Sequence, residues 1–159
     1  LLEFAVHDLG ARNIGATLIY KSDPAMRAGI EQRLPTPPPL KVKRPADLAP
    51  LRHVLAQIDG AALFDEHGTL VEIGVRLVPS LEAEADVEGF RGMRHTSARR
   101  YSFDDPHAIV IVISEEGPVT VLKGGRKLGE SYAPPVTPDE GEADIIVGDH
   151  RLTPDGVSA

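Results

Sequence analysis

The sequence predicts an α/β domain built on a mixed central β-sheet flanked by helices. Three observations carry this prediction. Apolar residues recur at helical spacing in two segments, several short apolar or β-branched runs read as strands, and turn residues join some of those runs into hairpins.

At the start of the chain Leu2, Ala5, Val6 and Leu9 fall on one helical face, and Gly10 stands where helices commonly end. Ile14 to Tyr20 then reads as a buried strand. Residues 22–46 hold Pro24, Pro35, Pro37, Pro38, Pro39 and Pro45, which predicts a long loop with extended polyproline character. Lys41, Lys43 and Arg44 within it form a weak basic cluster, either a solvated face or an anion site.

From Asp47 a helix with Pro50 in its first turn places Leu51, Leu55 and Ile58 on one face and stops at Asp59-Gly60. Ala61 to Phe64, the turn Asp65-Glu66-His67-Gly68 and Thr69 to Ile73 form a hairpin signature. After the polar stretch 80–90 a helix starts near Gly92 to Arg94. Ala108 to Ser114 carries the strongest strand signal in the chain. Val119 to Leu122 with Gly124-Gly125 makes a second hairpin. Residues 133–159 combine prolines and acidic residues with only Ile145 to Val147 apolar, so the expected division is a working domain over 1–132 and a loosely attached tail or linker over 133–159.

A chain of 159 residues, 42% of them hydrophobic, suits one domain. At that size roughly two-thirds of the unfolded surface is buried without help from disulfides. With no cysteine, thiolate catalysis, iron–sulfur clusters and cysteine-held zinc are excluded. A net charge of -7 argues against a broad basic surface for nucleic-acid backbone, yet leaves small phosphorylated ligands open because a metal ion can supply positive charge. The longest apolar run, Ala108 to Ile113, falls short of the roughly 20 residues a membrane span needs. No signal peptide is visible, and the chain begins at Leu1, which reads as a trimmed fragment. The expectation is a cytoplasmic domain, attached to a membrane only through sequence outside this segment.

Three segments offer chemistry. Asp59-Gly60-Ala61 would place a carboxylate at a sheet edge beside a glycine that admits ligand, although Asp-Gly is also a common turn pair. Gly92-Met93-Arg94-His95 precedes a helix, whose exposed N–H groups, with Arg94 as a phosphate fork and His95 as donor or metal ligand, could hold an anion. The same residues also read as an ordinary capped surface helix. Ser114-Glu115-Glu116-Gly117 follows the central strand, where at most one of two adjacent carboxylates faces a metal with Ser114, or the segment is simply an acidic turn. His7, His53, His67, His107 and His150 show no zinc-hydrolase spacing, and neither a P-loop nor a Gly-x-Ser-x-Gly motif is present.

The order helix, Asp59-Gly60-Ala61, hairpin, Leu77-Val78-Pro79, Gly92-x-Arg94-His95, strand and Ser114-Glu115-Glu116 resembles the diadenylate cyclase domain family over roughly residues 1–130. The resemblance implies an enzyme that condenses two ATP into cyclic di-AMP and pyrophosphate, uses Mg2+ or Mn2+, and works as a face-to-face homodimer. It implies catalytic roles for Asp59, Arg94 and His95. Substrate contacts fall to Gly60, Ala61, Leu77 (whose backbone meets adenine), Gly92, Met93, Thr96, Ser114 and Glu116, and metal contacts to Asp59, His95 and Glu116. The family usually reads Gly-Thr-Arg-His-Arg, whereas Met93 and Thr96 occupy the threonine and second arginine positions here, and Arg99 stands where a glutamate is often found. Arg99 or Arg100 could restore a lost guanidinium. The alternative these departures suggest is a non-catalytic nucleotide sensor that regulates an attached effector.

Overall fold

The computed structural model describes residues 1–26 and 28–132; the expected tail at 133–159 lies outside them. A π-helical turn, Phe4–Leu9, and a 3₁₀ turn, Gly10–Arg12, open the chain. There follow β1 (Ala16–Tyr20), β2 (Ile30–Glu31), α1 (Pro45–Gln57), β3 (Ala61–Phe64), β4 (Leu70–Leu77), α2 (Leu81–Asp86), α3 (Met93–Asp104), β5 (Ile109–Ile113), β6 (Val119–Lys123) and β7 (Arg126–Ser131). The strands form one sheet in the order β2-β4-β3-β1-β5-β6-β7. β1 and β3 run parallel, and every other neighbouring pair is antiparallel. The predicted mixed α/β sheet is the fold observed.

Alternation along the strands explains why helices cover both faces. Leu18, Ile111 and Ile113 point to one side, where Phe4, Leu9, Leu51, Leu55 and Phe64 complete a core. Ile19, Val110 and Val112 point to the other and pack with Leu63, Val75, Leu122 and the α3 residues Ala98 and Tyr101. β5 has apolar residues on both sides of the sheet, so it reads as an unbroken IVIVI run rather than an alternating one. An ion pair at 2.8 Å between Lys21, just past β1, and Asp105, just past α3, ties helix to sheet beneath the surface.

Several boundaries differ from expectation. Gly10 stays right-handed, and Asn13 instead adopts φ 56 and donates its N–H to the Gly10 carbonyl. Asparagine tolerates that conformation better than most side-chain-bearing residues. α1 begins at Pro45, whose fixed φ suits a first helical position, so Pro50 lies inside the helix. It ends at Gln57, before Asp59-Gly60. The polar stretch 80–90 contains α2, started by Ser80 Oγ accepting from the Ala83 N–H at 3.0 Å. The long loop contributes β2, and Lys41 bridges Thr69. No helix among the described residues is long and apolar enough to cross a membrane.

Candidate functional site

Strand register assembles the site. Thr17 pairs with Ala61 in parallel, while Ala16 faces Ile113 and Ile113 faces Val119 in antiparallel. The starts of β1 and β3 and the turn after β5 therefore share one end of the sheet. Ala61 also faces Val75, which brings the end of β4 there. Asp59, Gly60, Ala61, Leu77, Ser114 and Glu116, picked from separate motifs, thus border a single edge of the fold.

α3 delivers Arg94 to that edge. A Cβ built on Gly15 would lie 2.5 Å from Arg94 Nη1, 2.7 Å from Glu115 Cγ and 3.1 Å from Glu115 Oε1. The guanidinium and the carboxylate therefore converge on the bare α-carbon that precedes β1, and only glycine leaves room for both. The sequence does not single out Gly15, and of the two adjacent carboxylates the resemblance favours Glu116 over Glu115. The Asn-Ile-Gly-Ala step into a strand was the one available signal for Gly15.

Asp59 is exposed, with Oδ1 accepting from the Gly60 N–H at 2.9 Å. Gly60 has φ 101, and a Cβ there would stand 2.8 Å from the Gly74 carbonyl carbon and 2.9 Å from the Val75 oxygen. The glycine is demanded by the backbone of β4, independently of any ligand. Ala61 is buried within the sheet.

His95 turns inward. It is 5% exposed, its ring meets the edge of Phe90 at 5.7 Å and 83°, and its Nε2 has no hydrogen-bond partner. Burial, then the neighbouring Arg91 and Arg94 charges, hold its pKa below the usual imidazole value against a weaker opposing pull from Glu130. Next to it, the Thr96 hydroxyl accepts from the Phe90 N–H at 2.9 Å and so closes the loop in front of α3. Met93 is 87% exposed, and the space beside Gly92 is open. Arg91 holds φ 49, forked onto Glu130 at 3.0 and 3.2 Å and lying over the Phe90 ring at 4.9 Å. The hydrogen bond from Lys127, then the Arg91 fork, hold the Glu130 carboxyl down at about 2.

Arg99 donates through Nε to the Gly125 carbonyl at 2.8 Å and Arg100 to the Val87 carbonyl at 3.2 Å, so both anchor α3 to its surroundings and neither extends the Arg94 cluster. Nor do Asp59, His95 and Glu116 gather: among the described residues no three His, Cys, Asp or Glu side chains group closely enough to hold a metal ion. The exposed carboxylates Asp59 and Glu116 suit a hard divalent cation that keeps its waters and takes one or two protein oxygens plus phosphate, whereas the buried imidazole of His95 does not. A cleft of about 510 Å³ opens beside the end of β4, lined by Gly29, Ile30, Val78, Pro79, Ser80 and Asp104. No predicted site residue lines it, although Leu77 directly precedes Val78.

Comparison with known proteins adds a family. Residues 3–127 match the family described as "DAC: DisA bacterial checkpoint controller nucleotide-binding". Among solved structures the chain is similar to a hypothetical membrane spanning protein from Bacillus cereus, at 21% identity and a TM-score of 0.61 over 79% of this chain and 59% of that one. It is also similar to DacA from Staphylococcus aureus, a N166C/T172C double mutant, at 18% identity and a TM-score of 0.55 over 83% and 84% of the two chains. Both likenesses are of fold. The chain thus spans about three-fifths of the first of these structures. No curated protein matches it.

Proposed function

This chain belongs to the DisA-type DAC family of nucleotide-binding domains, and from that premise we propose that it joins two ATP molecules into cyclic di-AMP, releasing two pyrophosphates. The observation that carries the proposal is the convergence of Arg94, Glu115 and Gly15 at the same sheet end as Asp59-Gly60, Ser114 and Leu77. Phosphoryl transfer asks a protein for in-line positioning and neutralised charge more than for covalent chemistry. Arg94 and the first N–H groups of α3 neutralise the α-phosphate oxygens, with Arg94 as the bidentate donor. Asp59 orients the attacking ribose 3′-hydroxyl and accepts its proton. The backbone at Leu77 meets the adenine at the mouth of the β4 cleft, and Ser114 supplies a hydroxyl to phosphate.

Asp59 and Glu116 would hold Mg2+ or Mn2+, which supplies Lewis-acid stabilisation of the phosphate charge. One protomer holds one ATP, so each 3′-hydroxyl must meet the α-phosphate carried by a second copy, and a face-to-face homodimer is part of the proposal. Incubation with ATP and Mn2+ followed by chromatography tests it; cyclic di-AMP is expected, and its absence from a folded, dimeric, ATP-bound sample would sink the idea.

A second reading, a nucleotide sensor without turnover, draws on Met93 and Thr96. Met93 offers no hydroxyl at the mouth of the site, and the Thr96 hydroxyl is engaged with Phe90. ATP binding by calorimetry with no product would favour it.

A further inference from the structure

Among the described residues two buried side-chain polar atoms have no hydrogen-bond partner, and they sit on facing elements: His95 Nε2 on α3 and Thr120 Oγ1 on β6. Thr120 stands opposite Val112 on one side and Glu130 on the other. Val112 belongs to the core that α3 covers, so Thr120 presents its side chain to α3. Glu130 in turn acts on the charge of His95 and forks onto Arg91 in the loop that leads into α3.

Position along the two elements agrees. Arg99 and Leu122 line one small pocket between α3 and β6. One turn back along α3 from Arg99, about 6 Å, is His95. Two residues back along β6 from Leu122, about 6.7 Å, is Thr120. Equal steps from a shared contact put the two unpaired atoms on the same stretch of the α3–β6 interface.

Burying both groups unpaired is costly, and one water shared between them removes both costs. We infer that Thr120 is a positioning residue for His95: its hydroxyl donates to Nε2 across a single bridging water and so holds the proton on Nδ1. Phosphate oxygens only accept hydrogen bonds, so an imidazole serving phosphate must present an N–H. With Nε2 satisfied through that water, Nδ1–H is the donor offered to a ligand. The link between the two side chains stands on geometry alone; its use toward nucleotide phosphate rests on the function proposed above.

The test uses the full chain labelled with 15N-histidine, observed at a pH where the imidazole is neutral. The wild type should show His95 with Nδ1 protonated. Thr120→Val, close in shape but without the hydroxyl, should convert it to a mixture of tautomers, and Thr120→Ser should restore it. ATP affinity should fall about fivefold in Thr120→Val, the equivalent of one hydrogen bond, and recover in Thr120→Ser. An unchanged tautomer in Thr120→Val, or no recovery in Thr120→Ser, overturns the inference, since loss of packing alone would lower stability without moving the imidazole proton. A tautomer shift as expected, in a wild-type chain that takes up no ATP, supports the positioning role and defeats the nucleotide reading instead.

Discussion

Arg94 Nη1 and Glu115 Cγ stand 2.5 and 2.7 Å from the position a side chain on Gly15 would occupy. They arrive from opposite directions in sequence, one from the start of α3 and one from the turn after β5. Under the proposed function Arg94 there takes a phosphate, while Asp59 and Glu116 would hold the divalent ion accompanying it.

The first prediction follows from that packing. Gly15→Ala should leave the fold intact, because the atoms it meets are the ends of two flexible side chains, but it should push Arg94 and Glu115 apart. ATP affinity, read by calorimetry, should drop about tenfold, or about 1.4 kcal/mol. Wild-type affinity in a folded Gly15→Ala chain would contradict the placement of Arg94.

Gly60→Ala should behave differently. Its Cβ would meet backbone of β4, which cannot swing away, at a φ of 101. A loss of about 2 to 4 kcal/mol in urea unfolding is expected, combining strain with displaced backbone. Gly92→Ala has φ 102 but open space around it, so its cost should stay near 1 kcal/mol. Equal losses in the two variants would show that β4 does not impose the glycine.

How much of this was legible in the sequence follows from the range of each interaction. β5 announced itself because five consecutive apolar residues need no partner to be recognised, and the two hairpins because their turns are local. α2 escaped because it is six residues long and buries only Ala83 among them. The motifs around Asp59, Arg94 and Ser114 were readable, but the approach of both Arg94 and Glu115 to Gly15 depends on three segments meeting. Likewise, nothing near Gly60 in the chain reveals that Gly74 and Val75 press against it.

The Lys21–Asp105 pair should govern acid stability. Burial raises the Asp105 carboxyl, but hydrogen bonding and charge from Lys21, with help from the Tyr101 hydroxyl at 3.1 Å and the His107 N–H, bring it below the ordinary aspartate value. A folded pKa below the unfolded one means stabilisation that is present above about pH 4 and lost as pH falls toward the lowered value. Lys21→Met should destabilise the protein by about 3 to 5 kcal/mol near neutral pH, because Asp105 is left buried without its counter-charge. It should also flatten or reverse the acid limb of a stability–pH profile measured by denaturant unfolding. An unchanged acid limb would show that the pair does not set it.

Thr96→Val removes the hydroxyl that closes the loop onto Phe90 while keeping the side-chain shape. Stability should fall by about 1 kcal/mol. Nucleotide affinity should fall with it, since that loop leads directly into Met93 and Arg94. Thr96→Arg, which places the family's usual residue there, would sacrifice the same loop contact, and a gain in affinity from it would show that Thr96 faces ligand rather than Phe90.

The most direct measurement is product analysis of the wild type and Asp59→Asn, each given ATP and Mn2+, with ATP binding followed in parallel. Cyclic di-AMP and two equivalents of pyrophosphate should form in the wild type and vanish in Asp59→Asn while ATP still binds. A wild-type chain that is folded, paired with a second copy and loaded with ATP, yet forms no cyclic di-AMP, would contradict the account.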